Sequence, residues 1–72
     1  MADRSAFAAD AMQYAPQLYS AALRMTRNGA DAEDLVQESF ARAWSNWDSL
    51  RDKSAPKPWL LTILRNEHAR LY

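Results

Sequence analysis

The chain of 72 residues contains no cysteine, one glycine and one histidine. Without cysteine it has neither a disulfide framework nor a thiolate metal site, and the lone His68 has no second imidazole with which to share a metal. Because Gly29 stands alone, a glycine-rich phosphate loop is excluded as well. We therefore expect no metal and no cofactor, and the lack of cysteine is compatible with a reducing cytoplasm.

Long apolar runs are also missing. No stretch approaches the roughly 20 apolar residues that cross a bilayer, and the start, MADRSAFAAD, lacks the basic and then apolar pattern of a signal peptide. We expect a cytoplasmic protein with no membrane partner. Nine basic and nine acidic side chains give a formal net charge of +0, which argues against a freestanding nucleic-acid binder held by charge alone.

The abundant residues favour helix. Fourteen residues are Ala and eight are Leu, whereas Val, Ile and Thr together number four. Side chains that keep their rotamer freedom in a helix therefore dominate. Two polar breaks, Asn28 to Ala30 and Asp48 to Pro58, separate three helical segments. We predict one small all-α domain, a bundle of three helices, or of four if the first segment breaks near Pro16.

The first segment carries an apolar stripe at helical spacing, formed by Phe7, Ala11, Tyr14, Leu18, Ala22 and Met25. Pro16 interrupts the stripe because it lacks a backbone donor and clashes with the preceding turn. We expect a kink near Tyr14 or a helix that restarts around Pro16. Asn28 and Gly29 are expected to supply the left-handed residue that ends this helix.

The second segment is amphipathic from Asp31 to about Asn46. Its predicted core side carries Ala32, Leu35, Val36, Ser39, Phe40, Ala43, Trp44 and Trp47. Its polar side carries Asp34, Gln37, Glu38, Ala41 and Ser45. Asp31 is expected to cap the first turn, where the helix dipole also favours Glu33 and Asp34.

The third segment is predicted to begin near Pro58, since proline suits a first helical turn. One face carries Leu60, Ile63, Leu64, Glu67 and Leu71. Glu67 is the charged residue on this otherwise apolar face. Charge is uneven along the chain, because residues 31–38 hold four acids and no base, whereas residues 51–70 hold five bases and two acids. The second helix therefore suits a basic protein partner, and the third suits a phosphate backbone.

The sequence offers no convincing catalytic site. A carboxylate cluster at Asp31, Glu33, Asp34 and Glu38 lies on an exposed helical turn, which provides no desolvated environment for a general acid. His68 and its neighbour Glu67 point about 100° apart around the helix and therefore do not pair. We expect His68 to be an exposed helix residue rather than a ligand or a base. We predict that the protein is not an enzyme.

Three tryptophans flank the loop from Asp48 to Lys57. Large rings beside Arg51, Lys53 and Lys57 suit an unstacked base. An aromatic stripe at helical spacing is nevertheless typical of a core, so Trp44 and Trp59 are predicted to be core residues. Trp47 fits the core and the loop equally well, because it ends its helix.

Two stretches, DAEDLVQESFARAW and LRDKSAPKPWLLTILRN, resemble region 2 of the extracytoplasmic-function (ECF) class of bacterial RNA polymerase sigma factors. The likeness runs from about Tyr14 to Arg70. It implies a helical bundle that docks on the clamp helices, a coiled coil of the largest RNA polymerase subunit. It also implies that the loop and the third helix recognise and melt the minus-ten promoter element.

The resemblance places RNA polymerase binding on the second helix, at Asp34, Leu35, Gln37, Glu38 and Arg42. An acidic face suits a basic partner helix, which agrees with this assignment for the polar members. Leu35 fits the core equally well.

The resemblance places contacts with the minus-ten non-template strand at Leu50, Arg51, Asp52, Lys53, Ser54, Lys57, Arg65, Asn66 and Arg70. The loop from Leu50 to Lys57 matches a specificity loop that takes up a flipped base, although Asp52 and Pro56 give it its own chemistry. Asn66 matches the Asn of the family motif WLxxIxxN, and an amide presents a donor and an acceptor together to a base edge.

The alternative for Asn66 is an exposed helix residue or a helix-to-helix hydrogen bond. Arg65 and Arg70 are expected near phosphates, where they position the strand rather than specify its sequence. Opening a base costs a few kcal/mol of stacking, so RNA polymerase must contribute to melting.

We expect residues 1–72 to form one region 2 domain, with residues 1–13 as an N-terminal helical extension. Family members continue into a second promoter-binding domain, region 4, which we do not find in these 72 residues. Two interpretations follow: an isolated domain or fragment, or a truncated member whose promoter selection is incomplete. The alternative function is a protein-interaction module that binds an anti-sigma factor or competes for RNA polymerase without initiating. A third interpretation is a small helical protein that binds DNA without RNA polymerase. The zero net charge argues against this interpretation.

Overall fold

The computed structural model describes residues 9–49 and 56–72. Three α-helices make up most of this part of the chain: α1 (Ala15–Thr26), α2 (Gly29–Ser45) and α3 (Pro56–Leu71). A short 3-10 helix, Trp47–Ser49, follows α2. The described residues include no strand, and the all-α prediction is confirmed. Phe7, which the sequence places on the first apolar stripe, lies outside the described residues.

The first predicted helix is interrupted just before Pro16. Residues 9–12 are helical and residues 13–14 form a turn, in which the N–H of Tyr14 donates to the carbonyl of Ala11 at 3.0 Å. The next helix, α1, begins at Ala15, so Pro16 is its second residue. The missing N–H of proline removes no hydrogen bond there, because N–H groups of a first turn have no intrahelical partner. The predicted restart around Pro16 is confirmed.

The junction between α1 and α2 differs from the prediction. Arg27, rather than Asn28 or Gly29, is left-handed (φ 55°). Asn28 caps α2, since its Oδ1 accepts a hydrogen bond from the N–H of Asp31 at 2.9 Å. The predicted cap at Asp31 is therefore wrong. Asp31 lies inside the first turn, where its N–H is one of the donors that a capping side chain satisfies.

The third helix begins at Pro56, two residues before the predicted start at Pro58. Both prolines lie in the first turn, where a missing N–H removes no intrahelical hydrogen bond. Pro56 is also buried, so packing favours the earlier start.

The central helix is α2, which packs against both α1 and α3, whereas α1 and α3 contact each other less. The buried apolar side chains are mostly alanine and leucine: Ala11, Leu18, Ala22, Ala32, Leu35, Val36, Ala43, Leu60, Ile63 and Leu64. Ser39 is also buried, and its hydroxyl donates to the carbonyl of Leu35 at 2.7 Å. The buried hydroxyl is therefore satisfied within its own helix.

The tryptophans differ in how well they match the prediction. Trp59 is partly buried and packs against the core as predicted, and Trp47 does the same. Trp44 is 42% exposed, so its assignment as a core residue is wrong. Its side chain points about 100° from Ala43 around α2, which places it at the edge of the apolar stripe. Leu71, predicted on the apolar face, is also 42% exposed, because it is the last residue of α3.

Candidate functional site

Four of the predicted polymerase-binding residues form one exposed side of α2. Asp34, Gln37, Glu38 and Arg42 are all exposed, and their spacing places them on neighbouring turns. Leu35 is different, because it is 0% exposed and lies in the core. Its side chain offers no surface to a partner, so the core alternative holds for this residue.

The end of α3 closes the exposed side of α2 into a notch. Asp34, Gln37 and Glu38 line a cavity of about 390 Å³ together with Leu71 and Tyr72. Two carboxylates beside apolar and aromatic surface suit the cationic head and aliphatic stem of a lysine or arginine. The sequence pattern does not reveal the contribution of Leu71 and Tyr72, because tertiary packing alone brings the end of α3 beside α2. We call this cavity the acidic notch.

Tyr72, which lines the acidic notch, stacks on a second aromatic ring of α3. The rings of His68 and Tyr72 stack with their centroids 5.4 Å apart and an interplanar angle of 28°. Desolvation raises the pKa of the Tyr72 hydroxyl, and the carboxylates of Asp31 and Asp34 raise it further. His68 is half-buried in this arrangement, so the expectation of an exposed histidine is wrong.

Glu67, the odd member of the apolar face of α3, is held between two arginines. It is only 4% exposed. Its Oε1 accepts from the Nε of Arg42 at 2.7 Å, and its Oε2 accepts from the Nη2 and Nε of Arg70 at 2.7 and 3.0 Å. The hydrogen bonds from Arg70 lower the pKa of Glu67, whereas burial raises it. The hydrogen bond and the charge of Arg42 lower this pKa further. The buried charge is therefore paired.

This ion-pair cluster joins residues that the resemblance assigns to different partners. The Nη2 of Arg70 also lies 3.9 Å from the Oε2 of Glu38. Glu38 and Arg42 belong to the predicted polymerase set, whereas Arg70 belongs to the predicted DNA set. The side chain of Arg70 is 52% exposed, so part of it faces solvent while it contacts Glu67.

Three other predicted DNA contacts lie on the surface of α3. Lys57, Arg65 and Asn66 are exposed. Steps of 100° per residue place Asn66 between Arg65 and Arg70 on the outer side of the helix. The remaining predicted contacts lie outside the described residues: Leu50, Arg51, Asp52, Lys53 and Ser54.

Lys57 and Arg65 also line a groove between α1 and α3, opposite an arginine that the sequence pattern does not single out. Arg24 of α1 borders both of the cavities that form this groove. It was missed because its position beside α3 depends on how α1 packs. The sequence feature that could have pointed to Arg24 is its position as a cation in the last turn of an amphipathic helix.

Over residues 9–49 and 56–72, no group of three His, Cys, Asp or Glu side chains is placed to hold a metal ion. No helix in these ranges is long and apolar enough to cross a membrane.

Residues 11–72 match the family described as Sigma-70 region 2, and this match covers most of the chain. The chain therefore belongs to the Sigma-70 region 2 family.

Three curated relatives refine this assignment. The chain is 42% identical to the ECF RNA polymerase sigma factor SigL of Mycobacterium tuberculosis over 55 residues, which is 75% of this chain and 31% of SigL. It is 40% identical to SigG of the same organism over 63 residues, 88% of this chain and 17% of SigG. It is 43% identical to SigM of Bacillus subtilis over 53 residues, 74% of this chain and 32% of SigM.

All three relatives are ECF sigma factors by name, which confirms the resemblance seen in the two sequence stretches. The chain spans no more than 32% of the length of any of these three relatives.

Proposed function

We propose that this domain acts in transcription initiation as region 2 of an ECF sigma factor. In this role α2 docks on the clamp helices of the largest subunit of bacterial RNA polymerase. The loop before α3, and α3 itself, recognise and melt the minus-ten element on the non-template strand. The role is non-enzymatic and belongs in the cytoplasm, where bacterial RNA polymerase works.

The observation that carries this proposal is the separation of charge between two helices of a Sigma-70 region 2 domain. Asp34, Gln37 and Glu38 are exposed on α2, and Lys57 and Arg65 are exposed on α3. An acidic face attracts a basic protein surface, whereas the cations of α3 suit phosphates. A domain of zero net charge can in this way meet a protein and a nucleic acid at the same time.

Docking is proposed to use the acidic notch. A lysine or arginine of a clamp helix would place its charge near Asp34 and Glu38 and its stem against Leu71. Charge pairs at an exposed rim contribute mainly to association rate and specificity, so the apolar part of the notch supports affinity.

Promoter recognition is proposed to use Asn66. Its exposed amide can pair with a base edge, while Arg65 and Arg70 beside it hold the strand. Because the net charge is +0, the domain gains little from charge alone. Docking on RNA polymerase is therefore expected to come first and to bring promoter DNA within reach.

The experiment that tests promoter recognition measures binding of promoter single strands to the complex of this protein with core RNA polymerase. The wild-type complex first selects its preferred strand from a random pool. Asn66→Ala is expected to weaken binding of that strand by about tenfold, the value of one good base contact. Affinity for the clamp helices should stay at the wild-type value, which serves as the internal control. Wild-type DNA affinity in the Asn66→Ala complex would exclude a DNA role for Asn66.

One observation favours a second candidate function. Arg70 is engaged by Glu67 and Glu38, so a cation predicted for DNA is already paired. A protein-interaction module that binds an anti-sigma factor, or that occupies RNA polymerase without initiating, needs only the acidic notch. This alternative predicts that Glu38→Arg abolishes binding to protein partners, whereas Arg65→Ala and Asn66→Ala change nothing measurable.

A further inference from the structure

A groove between α1 and α3 gathers positive charge in a domain that has none in excess. It consists of two adjoining cavities of about 300 and 260 Å³, which share Ala21, Arg24 and Leu61. Arg65 lines the first cavity and Lys57 lines the second. Three of the nine lysine and arginine residues therefore border one groove. None of the described residues that line it is acidic.

The floor of the groove is apolar. Met25 and Leu61 are half-buried and pack against the core, and they face the groove together with Ala21. An apolar floor beneath cations matches a nucleic-acid single strand, whose bases need apolar surface and whose phosphates need positive charge. An acidic protein segment would use the cations but would gain less from the floor.

The length of the groove also suits a strand. Lys57 and Arg65 are eight residues apart on α3, which is about 12 Å along the helix axis. At the rise of ~3.4 Å per phosphate of a stacked strand, this distance covers about three nucleotides. Arg24 reaches the groove from the opposite side, on α1.

We propose that this groove holds a short stretch of single-stranded DNA, with Arg24 as a phosphate contact supplied by α1. The inference rests on the proposed promoter-binding function and extends it to a helix that the sequence pattern did not connect with DNA. The contact is independent of base sequence, because a guanidinium on a phosphate positions a strand without reading it.

The test uses the complex of the protein with core RNA polymerase and a fluorescent DNA single strand of about 12 nucleotides with randomised sequence. Arg24→Ala is expected to weaken binding about fivefold at ~0.1 M salt and to reduce the slope of log affinity against log salt by about 0.7. Arg24→Lys should restore both values, because charge rather than shape carries the contact. The matched control is Arg27→Asn, which removes the same charge at a residue that lines neither cavity and keeps a side chain that tolerates the left-handed backbone.

The possible failures are distinguishable. If Asn66→Ala weakens binding of the selected promoter strand, but Arg24→Ala matches Arg27→Asn in affinity and salt slope on the randomised strand, the groove is not a DNA site and the proposed function stands. If the wild-type complex binds no single strand, the promoter-binding proposal fails and the groove inference fails with it. If Arg24→Ala leaves DNA binding unchanged and weakens binding of poly-L-glutamate, the occupant is an acidic protein segment and the inference is overturned.

Discussion

The Nε of Arg42 lies 2.7 Å from the Oε1 of Glu67, and this ion pair ties α2 to α3. The two side chains differ sharply in exposure, at 49% for Arg42 and 5% for Glu67. The pair therefore connects the core to the surface that we propose for polymerase docking. Fold stability and the shape of the docking face depend on the same contact.

Removing the buried carboxylate is expected to destabilise the fold. Glu67→Ala deletes the acceptor of three charge-assisted hydrogen bonds and leaves a gap between the helices. We expect the free energy of unfolding to fall by about 2 kcal/mol, a moderate value because both arginines are half-exposed and recover water. Urea denaturation measures the change. Glu33→Ala removes the same charge from an exposed position of α2 and should shift stability by less than about 0.5 kcal/mol; equal effects of the two substitutions would contradict the account.

The same carboxylate predicts how stability depends on pH. The pKa of Glu67 is lowered below its ordinary value of 4.5 in the folded protein. A lowered pKa means that the unfolded chain binds the proton more tightly than the folded chain does. The stabilisation from Glu67 is therefore complete above pH 4.5 and is lost as the pH falls from that value through the lowered folded pKa.

Glu67→Gln should remove this part of the acid dependence. Denaturation curves between pH 3 and pH 7 would follow it, with Glu33→Gln as the control for the loss of one carboxylate. If the wild-type protein and Glu67→Gln lose stability in parallel below pH 4.5, the proposed charge state of Glu67 is wrong.

Leu35 should matter for folding and not for docking contacts. Leu35→Ala is expected to lower the free energy of unfolding by about 3 kcal/mol, since Leu35 is fully buried. Because such a loss can unfold a small domain, Leu35→Met is the more useful variant, with an expected cost below about 1.5 kcal/mol. Folded Leu35→Met should bind the clamp helices as the wild-type protein does. A large loss of binding in that variant, with helical content intact, would return Leu35 to the docking surface.

The cap of α2 gives an independent prediction of stability. Asn28→Ala removes the Oδ1 that accepts the N–H of Asp31, at an expected cost of about 1 kcal/mol. Asn28→Asp retains a capping oxygen and should keep most of the stability. Thermal unfolding followed by circular dichroism compares the two variants. If both lost the same stability, capping would not be the cause.

The positions of the helices could be predicted because the apolar stripes repeat at the helical period. Leu18, Leu35 and Leu64 all lie on predicted stripes, and all three are buried. The restart at Pro16 was predictable for a different reason, because proline is accommodated in the first turn of a helix but not in its interior.

The predictions failed where neighbouring residues compete for one role. Asn28 and Gly29 both favour the left-handed conformation, yet Arg27 adopts it, because the side chain of Asn28 is used to cap α2. Trp44 suits a core by composition but lies at the edge of the stripe. The apolar stripe of one helix does not show how much of that helix the neighbouring helices bury.

The candidate site was predictable one helix at a time. The exposed polar residues of α2 and α3 follow from periodicity, and the roles that we propose for them rest on the family resemblance. The acidic notch, the groove beside Arg24 and the pairing of Glu67 each need two helices to meet. Those contacts arise from packing, which a single sequence does not specify.

Binding to the isolated clamp-helix fragment of bacterial RNA polymerase tests the central claim most directly. The wild-type protein should bind saturably, and Glu38→Arg should weaken binding by about tenfold or more, because a cation then faces a basic partner at the acidic notch. Glu33→Arg makes the same charge change elsewhere on α2, about 140° around the helix from Glu38, and should bind nearly as the wild-type protein does. No binding by the folded wild-type protein, or equal losses in the two variants, would contradict docking through this face.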